Sequence, residues 1–139
     1  MYVGLNKWIT LVELSGTMPS ARCGHSATVI NGKMFVFGGK DERGCNNDLY
    51  VLDLVRFHWV RLDCKGGMSA RSVRILALAS AYDGARVLIC SRCRSVALPT
   101  ARMEHAAIAI DDRFLLIHGG SGDGGILNTV HLLDTSTYS

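Results

Sequence analysis

Two segments of this 139-residue chain carry the same landmarks in the same order, and that repeat restricts the fold more than any other feature. The first copy runs Trp8, Pro19-Ser20-Ala21-Arg22-Cys23-Gly24-His25, Phe35-Val36-Phe37-Gly38-Gly39, Asn47-Asp48-Leu49-Tyr50-Val51-Leu52-Asp53 and Trp59. The second runs Pro99-Thr100-Ala101-Arg102-Met103-Glu104-His105, Leu116-Ile117-His118-Gly119-Gly120 and Asn128-Thr129-Val130-His131-Leu132-Leu133-Asp134. The proline, arginine and histidine landmarks are each 80 residues apart, and the glycine, asparagine and aspartate landmarks 81. The single-residue shift falls where Asn31-Gly32-Lys33 becomes a longer turn at Asp111-Asp112-Arg113.

A third, degraded copy lies between them. Ser69-Ala70-Arg71 matches Ser20-Ala21-Arg22, Asp83-Gly84 matches the Asn31-Gly32 turn, and Val87-Leu88-Ile89-Cys90 follows as a second strand. Trp8 to Trp59 is 51 residues and Arg22 to Arg71 is 49, so the intact unit is close to 50. Arg71 to Arg102 is only 31, which leaves the middle unit about 19 residues short and without the double glycine.

Each unit reads as strands. Phe35-Val36-Phe37 and the run from Leu49 are short, apolar, rich in aromatic and branched side chains, and bounded by Gly, Asn or Asp. Asn31-Gly32 is a two-residue hairpin signal, because both central positions of that turn need positive φ. No window sustains the i, i+3, i+4, i+7 pattern of an amphipathic helix. Fifteen glycines against two prolines suit tight turns between strands, and 48% hydrophobic residues suffice for a core. The spacing predicts a four-stranded antiparallel meander over residues 25–30, 34–37, 49–54 and 59–62. One such sheet cannot bury both of its faces, so the units stack radially, which makes a β-propeller.

The pattern Pro19-x-x-Arg22-x-x-His25, Gly38-Gly39, Asn47-Asp48-Leu49-Tyr50 and Trp59, repeated as Pro99-x-x-Arg102-x-x-His105, Gly119-Gly120 and Asn128, resembles the kelch repeat. The resemblance runs from Trp8 to Asp134 and implies an all-β kelch-type propeller fragment with an incomplete ring. Residues 8–14 would be the closing strand of a preceding blade, 19–62 an intact blade, 69–98 a degenerate one, and 99–135 a blade lacking its fourth strand. About three blades fall below the minimum of four that closes a ring. The chain is then part of a larger propeller, a truncated remnant, or half of a homodimer that completes a six-bladed ring.

Function is read by elimination first. The net charge of +3 is too small to imply nucleic-acid binding, and no aromatic platform accompanies the basic residues. Nine basic residues between Arg56 and Arg102 stand against Asp63 and Asp83, a local +7 that makes the middle of the chain a basic island. The N-terminus has no cationic start followed by an apolar run, and no stretch is long enough to span a bilayer, so a cytoplasmic or nuclear protein without membrane contact is expected. Five cysteines are an odd number and read as reduced thiols. Cys90-Ser91-Arg92-Cys93 lacks the second pair a zinc site needs, and no metal or cofactor is expected.

His25-Ser26 and His105 with Glu104 or Asp111 superficially suggest a Ser-His-Asp arrangement, but their repetition makes them architecture. The oxidases and the epimerase among kelch-like propellers would require chemistry this chain does not assemble, so the expectation is no enzyme, with such a blade set as the alternative. What remains is a protein or peptide partner held by inter-strand loops at one rim, where rigid strands position variable loops. Candidate contacts are Lys40, Asp41, Glu42, Arg43, Ser121 and Asp123 in those loops, with Arg71, Arg74, Arg92, Arg94 and Arg102 from the basic island. Bidentate arginine contacts favour an acidic peptide.

Overall fold

The computed structural model describes residues 8–62 and 98–136, and every strand in it belongs to one compact unit assembled from both sides of the 64–98 segment. The alternating apolar runs fold as antiparallel sheet, and no α-helix occurs among the described residues. In the first blade, β1 (Ser15–Gly16) is followed by β2 (Ser26–Ile30), β3 (Lys33–Phe37), the small hairpin β4 (Lys40–Asp41) and β5 (Gly44–Cys45), then β6 (Leu49–Asp53) and β7 (His58–Leu62). The second blade contributes β8 (Ala106–Ile110), β9 (Phe114–His118), the hairpin β10 (Ser121–Gly122) and β11 (Gly125–Ile126), and β12 (Val130–Asp134). The sheets run β1-β7-β6-β3-β2 and β12-β9-β8. Among the described residues this is an all-β, kelch-type propeller fragment whose sheets do not close a ring.

The turns behave as their residues predict. Asn31 and Gly32 take φ of 48° and 71°, which lets their two-residue loop follow the twist of its flanking strands, and in the three-residue loop 111–113 Asp111 and Asp112 take 50° and 47°. Residues 8–14, expected as a closing strand, have no strand pairing among the described residues, and Ser15–Gly16 pairs in parallel with His58 and Trp59 of β7. The degenerate unit at 69–98 lies almost wholly outside the described residues.

Alternation then assigns the faces. Val36, Tyr50, Leu52 and Trp59 form one buried cluster, with Leu14, Met34 and Leu54 packed against it. Phe35, Phe37, Leu49 and Val51 point to the opposite face and are buried as well. That second face meets the other blade, where β2 lies against β8 and the Phe37 ring stands edge-on to the His105 imidazole at 5.3 Å. His105 shares a face with Leu115 and Ile117, which are buried in turn. The two intact repeats are therefore adjoining wedges, although 36 residues separate β7 from Pro99 in sequence.

The far side of the second blade differs. Ile108, Leu116 and Leu132 line up across it in register, with Ile108 59% and Leu132 45% exposed. Their counterparts in the first blade are Thr28, Phe35 and Val51, and there Phe35 is only 2% exposed because the neighbouring wedge covers it. One row of the repeat is dry where a wedge follows and wet where the described residues supply none.

Gly38 shows how close that joint is. Its φ is +64°, and a Cβ there would sit 2.6 Å from the Arg102 carbonyl oxygen. Gly119, its counterpart, has φ +70°, but a Cβ would meet nothing nearer than the Leu127 oxygen at 3.5 Å. Both changes to alanine carry the left-handed penalty of about 1–2 kcal/mol, and only Gly38→Ala adds a backbone clash. Urea unfolding should show Gly38→Ala losing more stability than Gly119→Ala; equal losses would contradict the joint. Trp59→Ala should cost about 3–5 kcal/mol in the same assay.

Candidate functional site

The segments that precede each innermost strand meet the double glycines and small hairpins at one end of the blades, and this end is the candidate rim. Cys23 exchanges backbone hydrogen bonds with Lys40 at 3.0 and 2.8 Å, and Lys40 pairs with Cys45 across the hairpin. Met103, Ser121 and Ile126 repeat this arrangement in the second blade. Each rim patch is thus a three-stranded fragment seated on its blade, which fixes the loops that carry variable side chains. Across the joint, the Gly39 amide donates to the Arg102 carbonyl at 2.8 Å, the Arg102 amide to the Asn46 carbonyl at 3.0 Å, and the Glu104 amide to the Gly24 carbonyl at 2.7 Å. At the opposite end the Asn31 side-chain amide donates to the Asp112 carbonyl.

These bonds bring the two rim hairpins together. Burial pushes the Cys45 thiol up, and its hydrogen bond to the Asp123 carboxylate adds to that. Cys23 and Cys45 flank Lys40 two strand spacings apart, about 9–10 Å, beyond the reach of a disulfide. Both are free thiols. Glu42 and Arg43 stand exposed at the hairpin tip, and Asp41 is tied down by the Ser20 hydroxyl at 2.8 Å and the Arg43 amide at 2.9 Å. Those two hydrogen bonds hold its carboxyl below the usual range. Lys40, Asp41, Glu42, Arg43, Ser121 and Asp123 therefore share one rim. Arg71, Arg74, Arg92 and Arg94 lie outside the described residues.

Arg102 is placed differently from an exposed rim contact, since it is 0% exposed. Its counterpart Arg22 explains the design. Arg22 reaches back beneath the double glycine, where Nη1 donates to the Gly38 carbonyl at 2.9 Å and to the Asp48 carboxylate at 2.6 Å, and its guanidinium lies 5.3 Å from the Tyr50 ring centre. Burial pulls the Arg22 pKa down, but the hydrogen bond and charge of Asp48 outweigh it and the net shift is upward. Arg102 repeats the carbonyl contact, with Nη1 donating to Gly119 at 2.9 Å, yet Thr129 stands where Asp48 would be.

The Ser-His pair was visible in sequence only as two repeated landmarks. The His105 ring Nε2 lies 2.7 Å from the Ser26 hydroxyl of the neighbouring blade. Its Nδ1 is buried without a hydrogen-bond partner, so no carboxylate among the described residues orients the ring. Glu104 is exposed and Asp111 sits in the turn at the far end of β8. The pair works as a joint contact between wedges. No group of three or more His, Cys, Asp or Glu side chains among the described residues could hold a metal ion.

The family model described as the KLHDC2/KLHL20/DRC7 Kelch-repeats domain matches residues 3–98. The chain belongs to the kelch-repeat family. Acyl-CoA-binding domain-containing protein 5 of Arabidopsis thaliana is 28% identical over 129 residues, 92% of this chain and 15% of its own length. Rho GTPase-activating protein gacHH of Dictyostelium discoideum is 33% identical over 101 residues, 73% of this chain and 5% of its own. Kelch domain-containing protein 3 of Homo sapiens is 42% identical over 71 residues, 50% of this chain and 18% of its own. The kelch segment here spans less than a fifth of each of these relatives. Kelch repeats generally mediate protein–protein interaction, and no helix among the described residues is long and apolar enough to cross a membrane.

The joint makes stability depend on pH. Burial, with the charges of Arg102 and His25 added, lowers the pKa of His105, and burial with Arg102 does the same to His131. As pH falls, the unfolded chain takes up these protons before the folded one. The contribution is complete above about pH 6.5 and is lost as pH drops toward the native values. The melting temperature should therefore fall between pH 7 and pH 5, and His105→Gln should flatten part of that slope. A melting temperature independent of pH in this window would contradict the buried joint.

Proposed function

We propose that this kelch segment is a non-enzymatic interaction module, an adaptor or scaffold of the cytoplasm or nucleus, that holds an acidic peptide on the rim carrying the β4–β5 and β10–β11 hairpins. The observation that carries this reading is the coupling of those hairpins: the interblade hydrogen bonds and the Cys45–Asp123 contact hold two variable loops side by side on a rigid base. A preformed surface of that kind binds with little ordering cost. Lys40 and Arg43 supply cationic heads there, and the basic island of the sequence carries Arg71, Arg74, Arg92 and Arg94 as further candidates. The relatives support it too, since similar kelch segments accompany names as different as an acyl-CoA-binding protein and a Rho GTPase-activating protein.

A second reading concerns the exposed Ile108-Leu116-Leu132 row. Because the equivalent row in the first blade is covered by a wedge, this face suits a further kelch wedge, from a longer polypeptide or from a second copy that completes a ring. Light scattering on the 139-residue chain distinguishes these, since a dimer mass supports the second copy and a monomer mass contradicts it.

Capture of an immobilised Glu-rich peptide tests the rim. Changing Arg71, Arg74, Arg92 and Arg94 to Ala, and separately Lys40 and Arg43 to Ala, should each weaken capture, more so at low ionic strength where exposed charges are least screened. Capture unchanged in both variants would contradict the acidic-partner reading.

A further inference from the structure

The two repeats differ in what faces the guanidinium of their shared arginine, and in the second blade that arginine is buried. In the first blade the guanidinium of Arg22 is neutralised by Asp48, with Nη1 2.6 Å and Nη2 3.3 Å from its carboxylate oxygens. In the second blade the same register places Thr129, and among the described residues Arg102 has no carboxylate partner. Its Nη1 donates to the Gly119 carbonyl alone, leaving the proton that Arg22 gives to Asp48 without an acceptor. Its Nη2 has two protons and three neutral acceptors: Thr129 Oγ1 at 3.1 Å, Thr100 Oγ1 at 3.2 Å and His131 Nε2 at 3.3 Å. Nε donates to the Thr100 carbonyl at 3.1 Å.

These contacts are long for a charge-assisted hydrogen bond, where about 2.7–2.9 Å is usual. A buried cation held only by neutral dipoles is costly, and a carboxylate beside it relieves that cost. The groups around Nη2 reach the surface, although Arg102 itself is 0% exposed. Thr100 and Thr129 are both exposed, His131 is half-buried, and Thr129 lies in the loop that follows the β10–β11 hairpin.

We propose that Arg102, Thr100, Thr129 and His131 form a carboxylate subsite, in which an acidic side chain of a bound peptide takes the position that Asp48 occupies in the first blade. This rests on the rim reading above and names the group that anchors the peptide. Arg102 supplies the paired N–H donors, the threonine hydroxyls turn from acceptors to donors toward the anion, and His131 stands beside the new charge.

The test uses the 139-residue chain with acetate as the probe, and chloride at matched ionic strength. Acetate should raise the wild-type melting temperature and shift the His131 ring titration upward by NMR, while chloride does neither. Thr129→Asp supplies the carboxylate internally, so it should melt higher than wild type and lose the acetate response. Asp48→Thr leaves Arg22 without its carboxylate, as Arg102 is, and should gain a second acetate response.

Equal effects of acetate and chloride, or an acetate response unchanged in Thr129→Asp, would overturn the subsite. Capture of the Glu-rich peptide separates this from the rim reading. Thr129→Asp should weaken capture about tenfold, equivalent to roughly 1.4 kcal/mol. Loss of capture in the Lys40 and Arg43 variant with an intact acetate response would support the subsite. Full peptide binding by Thr129→Asp would overturn the anchoring role even where the rim reading stands.

Discussion

The joint between adjoining wedges is the constraint on which the rest of this structure depends. A single meander presents two apolar faces, and a sheet of this size is stable only when both are covered. The backbone bonds from Gly39 to Arg102, from Arg102 to Asn46 and from Glu104 to Gly24 lock the second face of the first blade against its neighbour. Because those bonds use main-chain groups, they set how closely the wedges approach regardless of the side chains on the loops. Variable loops can then change without disturbing the stack, which is why an interaction surface belongs at this rim.

The joint also organises the charged residues. Arg22 and Arg102 lie beneath the double glycines, where each caps a carbonyl that the departing strand leaves without a ladder partner. Among the described residues only the first blade supplies a carboxylate to match, the half-buried Asp48. The other close pair, Arg113 with Asp134 at 2.6 Å, ties the β8–β9 turn to the end of β12 at the opposite end of the second blade and is substantially exposed. An exposed pair of that kind contributes little to stability, whereas the half-buried Arg22–Asp48 pair is costlier to break. The same residue types thus do different work according to their solvent access.

Much of the fold was legible in the chain itself. The repeat offsets, the Asn31-Gly32 turn and the Gly38-Gly39 pair located the four long strands of the first blade to within a residue, because turns and double glycines are local signals with a direct backbone cause. Adjacency was not legible. The 31-residue gap from Arg71 to Arg102 reads as a shortened blade in between, and only the contacts of β2 with β8 reveal that the intact wedges touch.

Loop position alone made Lys40 to Arg43 and Asp123 candidates, but it could not show the Ser26–His105 and Cys45–Asp123 contacts, since each joins residues nearly 80 positions apart. One signal was present and easily overlooked: aligning the repeats sets Asp48 against Thr129 and so marks the unmatched arginine.

Amide hydrogen exchange read residue by residue tests the central claim most directly. The Gly39 amide is bonded across the joint to the neighbouring wedge, whereas Gly120 holds the same place in a blade whose far face the described residues leave open. Exchange at Gly39, Arg102 and Glu104 should be slowed to the level of the β3 and β6 core amides, and Gly120 should exchange much faster. Gly39 exchanging as fast as Gly120 would contradict the account, because the wedges would then not be locked together.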